Sequence, residues 1–244
     1  MPVILKFLIG ICMGLIVGVF IGLGVQGGTQ AHVPLFFLQA LQQLDGLTAE
    51  AQAPEPEIYN GDELLIAAVE YKRGDPKAGT YIIQYGSLVE PYADLQVQVF
   101  KQLQTVFPSE LYWIKRPYPV ESIAGSQQWA ELNACLRSLK GEQASWDFML
   151  ESLHNGELTL KTLEIIAPRF GLDPVQWMTC VEQGTFKDAI ETTKQSAVDQ
   201  WNVTVSPTTF VVNTKTNKLY RLEGAYGYTF FKNLLEREAF VSAR

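Results

Sequence analysis

The chain has 244 residues, 47% of them hydrophobic, which is enough for one core of ordinary size with extensions. A net charge of −7, with Lys and Arg scattered along the chain, excludes a nucleic-acid partner, whose phosphates require a basic face. Three cysteines (Cys12, Cys135, Cys180) and two distant histidines (His32, His154) do not make a Cys/His metal site, so neither metal nor cofactor is expected.

Residues 7–25 carry no charge. As a helix they rise about 28 Å, close to a hydrocarbon thickness of roughly 30 Å. A secretory signal is the rival reading, but its apolar region is shorter, about 7–15 residues. The best cleavage-like site, Thr29-Gln30-Ala31, is a poor match to the small-residue pattern. A transmembrane anchor over residues 1–25 is therefore expected. Lys6 and the amino terminus flank it on one side, and no Lys or Arg follows until Lys72, so the bulk of the chain should lie outside the cytoplasm. In a two-membrane bacterium that is the periplasm. Gly10, Gly14, Gly18 and Gly22 recur at four-residue spacing and form one groove, suited to close packing with another membrane helix, from a second copy or a different protein. Glycine is also simply common in membrane spans.

Residues 26–61 read as an acidic linker with a short apolar segment. Six acidic and no basic residues lie between Asp45 and Glu63. Phe37, Leu38, Leu41 and Leu44 fall at helical spacing, but the segment lacks the Lys and Arg of a membrane-surface helix. Docking on a partner or on its own domain is an equal reading. Ala51–Glu57 is the flexible part.

The globular domain is expected over residues 62–244. Leu64–Tyr71 is ambiguous between strand and helix, and Arg73–Gly79 is a turn by its Gly and Pro content. Its Arg73-Gly74-Asp75 triplet is too short to signify adhesion. Tyr81, Ile82, Ile83 and Tyr85 make a strand that Gly86 and Ser87 break. Pro91 suits a first helical turn, and Val97, Phe100 and Leu103 continue that helix. A strand feeding a helix start favours a bound anion or a thiolate. Leu111–Pro119 is a second strand.

Helices follow at Ser126–Ser138, Ala144–Leu153, Thr159–Phe170, Val175–Gln183 and Phe186–Asn202. Trp129, Leu132, Leu136 and Leu139 share one face of the first. Gly171 closes one helix, and Asp173 before Pro174 opens the next. Phe210–Val212 and Leu219–Leu222 form a hairpin about Lys215–Lys218, and Tyr228–Phe240 is the closing helix.

Tyr81–Ala93 resembles the active-site region of the DsbA-like branch of the thioredoxin superfamily, which reads strand, short loop, then Cys-Pro-Tyr-Cys at the helix start. Here the four positions are Glu90, Pro91, Tyr92 and Ala93. Trp201–Asn213 is similar to that family's Gly-Val-x-Gly-Thr-Pro-Thr-Phe-Phe-Val-Asn segment, with Ser206 and Pro207 at the Thr-Pro pair. The resemblance covers about residues 64–240. It implies an α/β thioredoxin fold with a helical insertion at about 124–202, and a cis bond before Pro207 facing the helix-start loop. Read alone, Pro207 is as well a strand-start proline.

The family's thiol–disulfide exchange needs a thiolate and a resolving sulfur. Glu90 and Ala93 supply neither, so no catalytic residue is expected here. Glu90 reads as a helix N-terminal stabiliser, worth about 0.3–1 kcal/mol, ahead of a general base. Related proteins carry cysteine pairs in the insert, and Cys135 and Cys180 are expected to form a structural disulfide worth roughly 4 kcal/mol. Two buried thiols or a reactive pair are the alternatives, and Cys12 is an apolar filler.

The expected function is that of a membrane-anchored extracytoplasmic thioredoxin-like protein without catalytic cysteines. It would act as a binding or scaffold protein, or as an accessory subunit of a membrane complex. Its contacts with extended peptide would come from Glu90, Tyr92, Ser206 and Pro207. The alternative is a thiol–disulfide oxidoreductase working through Cys135 and Cys180.

Overall fold

The computed structural model describes residues 54–59, 67–150 and 159–237. The expected anchor with Cys12 and its glycine face, His32, the apolar segment 33–44 and His154 lie outside the described residues. Among the described residues, no helix is long and apolar enough to cross a membrane.

One sheet holds β1 (Glu57–Ile58), β2 (Tyr71–Gly74), β3 (Thr80–Gly86), β4 (Leu111–Pro117), β5 (Thr208–Asn213) and β6 (Lys218–Glu223). Their order is β1-β6-β5-β3-β4-β2. Only β3 and β4 are parallel; the other neighbours are antiparallel. The helices are α1 (Ala93–Val106), α2 (Ser126–Lys140), α3 (Glu142–Leu150), α4 (Leu160–Ile166), α5 (Pro174–Glu182), α6 (Lys187–Trp201) and α7 (Tyr228–Arg237). A 3₁₀ turn, Ala167–Phe170, continues α4.

A parallel pair needs a crossover, and α1 supplies it between β3 and β4. Strand alternation then sorts the side chains. Ile82, Trp113 and Val211 join Phe100 and Leu103 of α1 and Phe231 and Leu235 of α7 in one buried cluster. Ile83, Tyr85, Ile114 and Phe210 face the other way and pack with Ala197 of α6 and Val203.

Helices α2 to α6 form the insert between β4 and β5 and have their own core. Trp129, Leu132, Leu136, Phe148, Leu163 and Trp177 are all fully buried there. Trp177 satisfies its indole by donating Nε1–H to the Leu132 carbonyl at 2.9 Å. Leu139, read from periodicity as part of the apolar face, is 37% exposed, because it lies in the last turn of α2 beyond the reach of this core. Two of the insert's helices, α4 and α5, start where a short polar side chain satisfies a free N–H group. Thr159 accepts from Thr162 N–H at 3.1 Å, and Asp173 accepts from Val175 N–H at 2.9 Å. A disulfide joins Cys135 of α2 to Cys180 of α5.

Two edge strands differ from the sequence reading. The turn placed at Arg73–Gly79 begins later, because Tyr71–Gly74 pairs with β4. Gly74 has φ +100°, and a Cβ there would lie 2.3 Å from the Leu111 carbonyl oxygen. Gly74→Ala is expected to cost about 3 kcal/mol from backbone strain and overpacking together, read by urea denaturation. The Glu142 carboxylate accepts the Lys72 N–H, which gives this outer strand a partner. At the opposite edge, the end of the supposed linker is a strand. Glu57–Ile58 pairs with β6, and Tyr59 N–H donates to the Asn217 carbonyl at 2.7 Å. Pro54 and Pro56 just before it have no N–H to offer a further strand.

Candidate functional site

β3 ends at Gly86 and α1 begins at Ala93, so the loop between them holds Ser87 to Tyr92. Pro91 was expected in the first helical turn. Instead, Ala93 N–H closes a turn on the Glu90 carbonyl at 3.0 Å, and the helix starts after it. Asp94, exposed, is the acidic residue in that first turn and takes the dipole-facing place expected of Glu90.

Glu90 turns inward. It is 6% exposed. Its Oε2 accepts the Ser206 hydroxyl at 2.5 Å, and its Oε1 is buried without a hydrogen-bond partner. Burial pushes its carboxyl above the usual range, against the opposing pull of the Lys115 charge and the Ser206 hydroxyl. Glu90 is thus an interior group, whereas its neighbours Pro91 and Tyr92 are exposed.

Lys115 lies behind it on β4, buried. Burial drives its ammonium down to about 8, with Glu90 opposing. Its Nζ donates to Gln84 Oε1 at 2.7 Å. Gln84 Nε2 in turn donates to Gln96 Oε1 at 2.7 Å and Thr209 Oγ1 at 3.1 Å. A polar layer therefore runs across β4, β3, β5 and α1 directly beneath the loop. Gly86 is where it meets the loop. A Cβ there would lie 2.7 Å from Lys115 Nζ, 3.0 Å from Glu90 Oε1 and 3.5 Å from Pro207 Cβ.

The Ser206-Pro207 bond is cis. Among the expected site residues, the structure brings Glu90, Ser206 and Pro207 together. Pro91 and Tyr92 stand exposed beside them, and Ala93 opens α1. Tyr92 (55% exposed) and Val205 (39%) on the two loops, with Leu95 (42%) in the first turn of α1, leave apolar surface exposed. Lys115, Gln84, Gln96 and Gly86 were missed. The available signal was polar side chains inside strands that otherwise read as buried, Gln84 in β3 and Lys115 in β4. Cys135 and Cys180 belong to the insert core. Among the described residues, no group of three or more His, Cys, Asp or Glu could hold a metal.

Lys115 makes stability depend on pH. Its folded pKa lies below the ordinary 10.5, so between about 8 and 10.5 the unfolded chain binds more protons than the folded one. Stability contributed by this residue is therefore fully present above that window and is lost as pH falls through it. Urea denaturation at both ends of the window should show the wild type gaining stability with rising pH relative to Lys115→Met. Parallel curves would refute the buried amine.

No protein-family model and no curated protein matches the sequence. Solved structures do. Wolbachia pipientis alpha-DsbA1 superposes with a TM-score of 0.59 at 19% identity, covering 72% of this chain and 95% of that one. Chlamydia trachomatis DsbA gives 0.60 at 14%, covering 77% and 97%. The thiol-disulfide exchange protein alpha-DsbA2 of Wolbachia pipientis gives 0.56 at 17%, covering 73% and 89%. The chain has the DsbA-type thioredoxin fold, with Glu90 and Ala93 at the two positions where the resemblance places cysteines.

Proposed function

We propose that this chain is a non-catalytic binding protein that uses the groove between the helix-start loop and the cis-proline loop for an extended peptide. The observation that carries the reading is the state of the loop itself. Its carboxylate is buried and accepts the Ser206 hydroxyl, whereas Tyr92, Leu95 and Val205 stay exposed. A strand of peptide beside Val205 and Ser206 can bind through main-chain groups and apolar contacts, without sulfur.

In this reading the uncharged run 7–25 anchors the protein and the domain lies outside the cytoplasm, as Lys6 favours. Gly10, Gly14, Gly18 and Gly22 pack against another membrane helix, of a second copy or of a partner for which this chain is an accessory subunit. A second reading, thiol–disulfide exchange through Cys135 and Cys180, draws on the disulfide and on the partial exposure of Cys180.

Purification of the full-length protein in mild detergent, with partners identified by mass spectrometry, tests the binding reading. A stoichiometric partner retained by the wild type and lost from Tyr92→Ala or Val205→Asp supports it. Retention of every partner by both variants places the contact elsewhere.

A further inference from the structure

Helices α2 and α5 wall a cavity of about 670 Å³ in the insert, with Leu160 of α4 and Lys187 of α6 completing its lining. No residue of the helix-start loop or of the cis-proline loop lines it. Its volume falls within the usual range of small-molecule sites, about 300–1,000 Å³. Val175, Met178 and Glu182 recur at three- and four-residue spacing and share one face of α5. The Cys135–Cys180 disulfide fixes the two walls to each other, and Cys135 lies one turn beyond Glu131 on α2.

Glu131 is the unusual member of this lining. It is 5% exposed. Its Oε1 accepts Gln127 Nε2 at 2.8 Å. Its Oε2 accepts no hydrogen bond among the described residues, yet it is not sealed from solvent as Glu90 Oε1 is. Among the described residues no Lys or Arg forms an ion pair with Glu131, Lys187 of the same cavity included. One neutral amide is slight compensation for a buried carboxylate. The two hydroxyls of the lining are already engaged. Thr179 Oγ1 donates to the Val175 carbonyl at 2.8 Å, and Thr159 Oγ1 accepts the Thr162 N–H at 3.1 Å. Met178, Val181 and the exposed Leu160 and Val175 give the cavity an apolar wall.

We propose that this cavity binds an organic cation, an ammonium or guanidinium carried on an apolar stem. The cationic head supplies the counter-charge that Glu131 lacks, and the stem packs on Met178 and Val181. Glu182 adds a second carboxylate to the lining, against the single ammonium of Lys187. An anion would meet Glu131 directly. A neutral apolar molecule would take water from the Glu131 carboxylate and return nothing. A divalent metal needs several oxygen ligands, and among the described residues no group of three or more His, Cys, Asp or Glu could hold one. A free amine and a lysine side chain present the same head, and the experiment separates them. The site stands apart from the peptide-binding reading and can hold whether or not that reading does.

Methyl NMR of the full-length protein in mild detergent tests this, following Leu160, Met178 and Val181. Benzylamine and a lysine blocked at both ends are the cations, and benzyl alcohol is the uncharged control. The better cation should shift these methyl groups saturably and bind at least about tenfold tighter than benzyl alcohol, as a charged hydrogen bond predicts. Glu131→Gln keeps an acceptor for Gln127 and should weaken that cation by a similar factor, with benzyl alcohol unchanged. A preference for benzylamine assigns the site to a free amine; a preference for blocked lysine assigns it to a polypeptide side chain. No saturable shift with either cation would overturn the site, as would equal binding of benzyl alcohol or undiminished cation binding by Glu131→Gln. If Glu131→Gln does not fold, the comparison with benzyl alcohol on the wild type decides.

Discussion

Glu90→Cys together with Ala93→Cys should give this protein thiol–disulfide exchange at the helix-start loop. The loop already holds Pro91 and Tyr92 between the two positions, and residue 93 opens a fourteen-residue helix. A thiolate at position 90 would face the Lys115 ammonium in place of the carboxylate, which lowers a thiol pKa against the burial that raises it. A thiol of ordinary pKa near 8.5 is about 3% ionised at pH 7, so full ionisation alone raises the attacking species about thirtyfold. Exchange with a disulfide-bonded peptide in a glutathione buffer is the assay. The double variant should turn over substrate where the wild type does not. A folded but inert double variant would mean that residue 90 is held too deep for an incoming disulfide.

The second large effect is on stability. Arg116 is fully buried on the sheet face opposite Lys115. It donates through Nε and Nη2 to Glu70 at 3.2 and 2.9 Å and through Nη1 to the Tyr85 hydroxyl at 2.6 Å. Its guanidinium also lies 5.4 Å from the Tyr85 ring centre. Arg116→Met leaves a buried carboxylate without its main counter-charge, a loss of about 3–5 kcal/mol. For a domain of this size that lowers Tm by roughly 10 °C. Adding Glu70→Leu should recover most of it, since an apolar pair fills the same space without desolvated charge. A fall of less than about 1 kcal/mol in the single variant would show that Lys72, which also pairs with Glu70, is counter-ion enough.

Much of the fold was legible because it is local. Apolar spacing located α2 to α6 within a few residues, and Gly171, Asp173 and Pro174 marked where one helix stops and the next starts. The edge strands were not legible. β1 and β2 are short, and their pairing is set by β6 and β4, which lie far along the chain. The candidate site was half legible. Glu90, Ser206 and Pro207 could be named from the order of elements in the resemblance. That Glu90 would be buried could not, because its burial depends on Ser206 and on Lys115, and neither is near it in sequence. A local reading assigned Glu90 to the helix dipole; the folded chain gives that place to Asp94.

The measurement that most directly tests a binding role over a catalytic one is turnover of a disulfide-bonded peptide by the full-length wild-type protein in a glutathione buffer. The rate should not exceed that of the buffer alone, and Cys135→Ala with Cys180→Ala should leave it unchanged. Turnover by the wild type that disappears in that double variant, with the variant still folded, would contradict the binding reading and assign the chemistry to the insert disulfide.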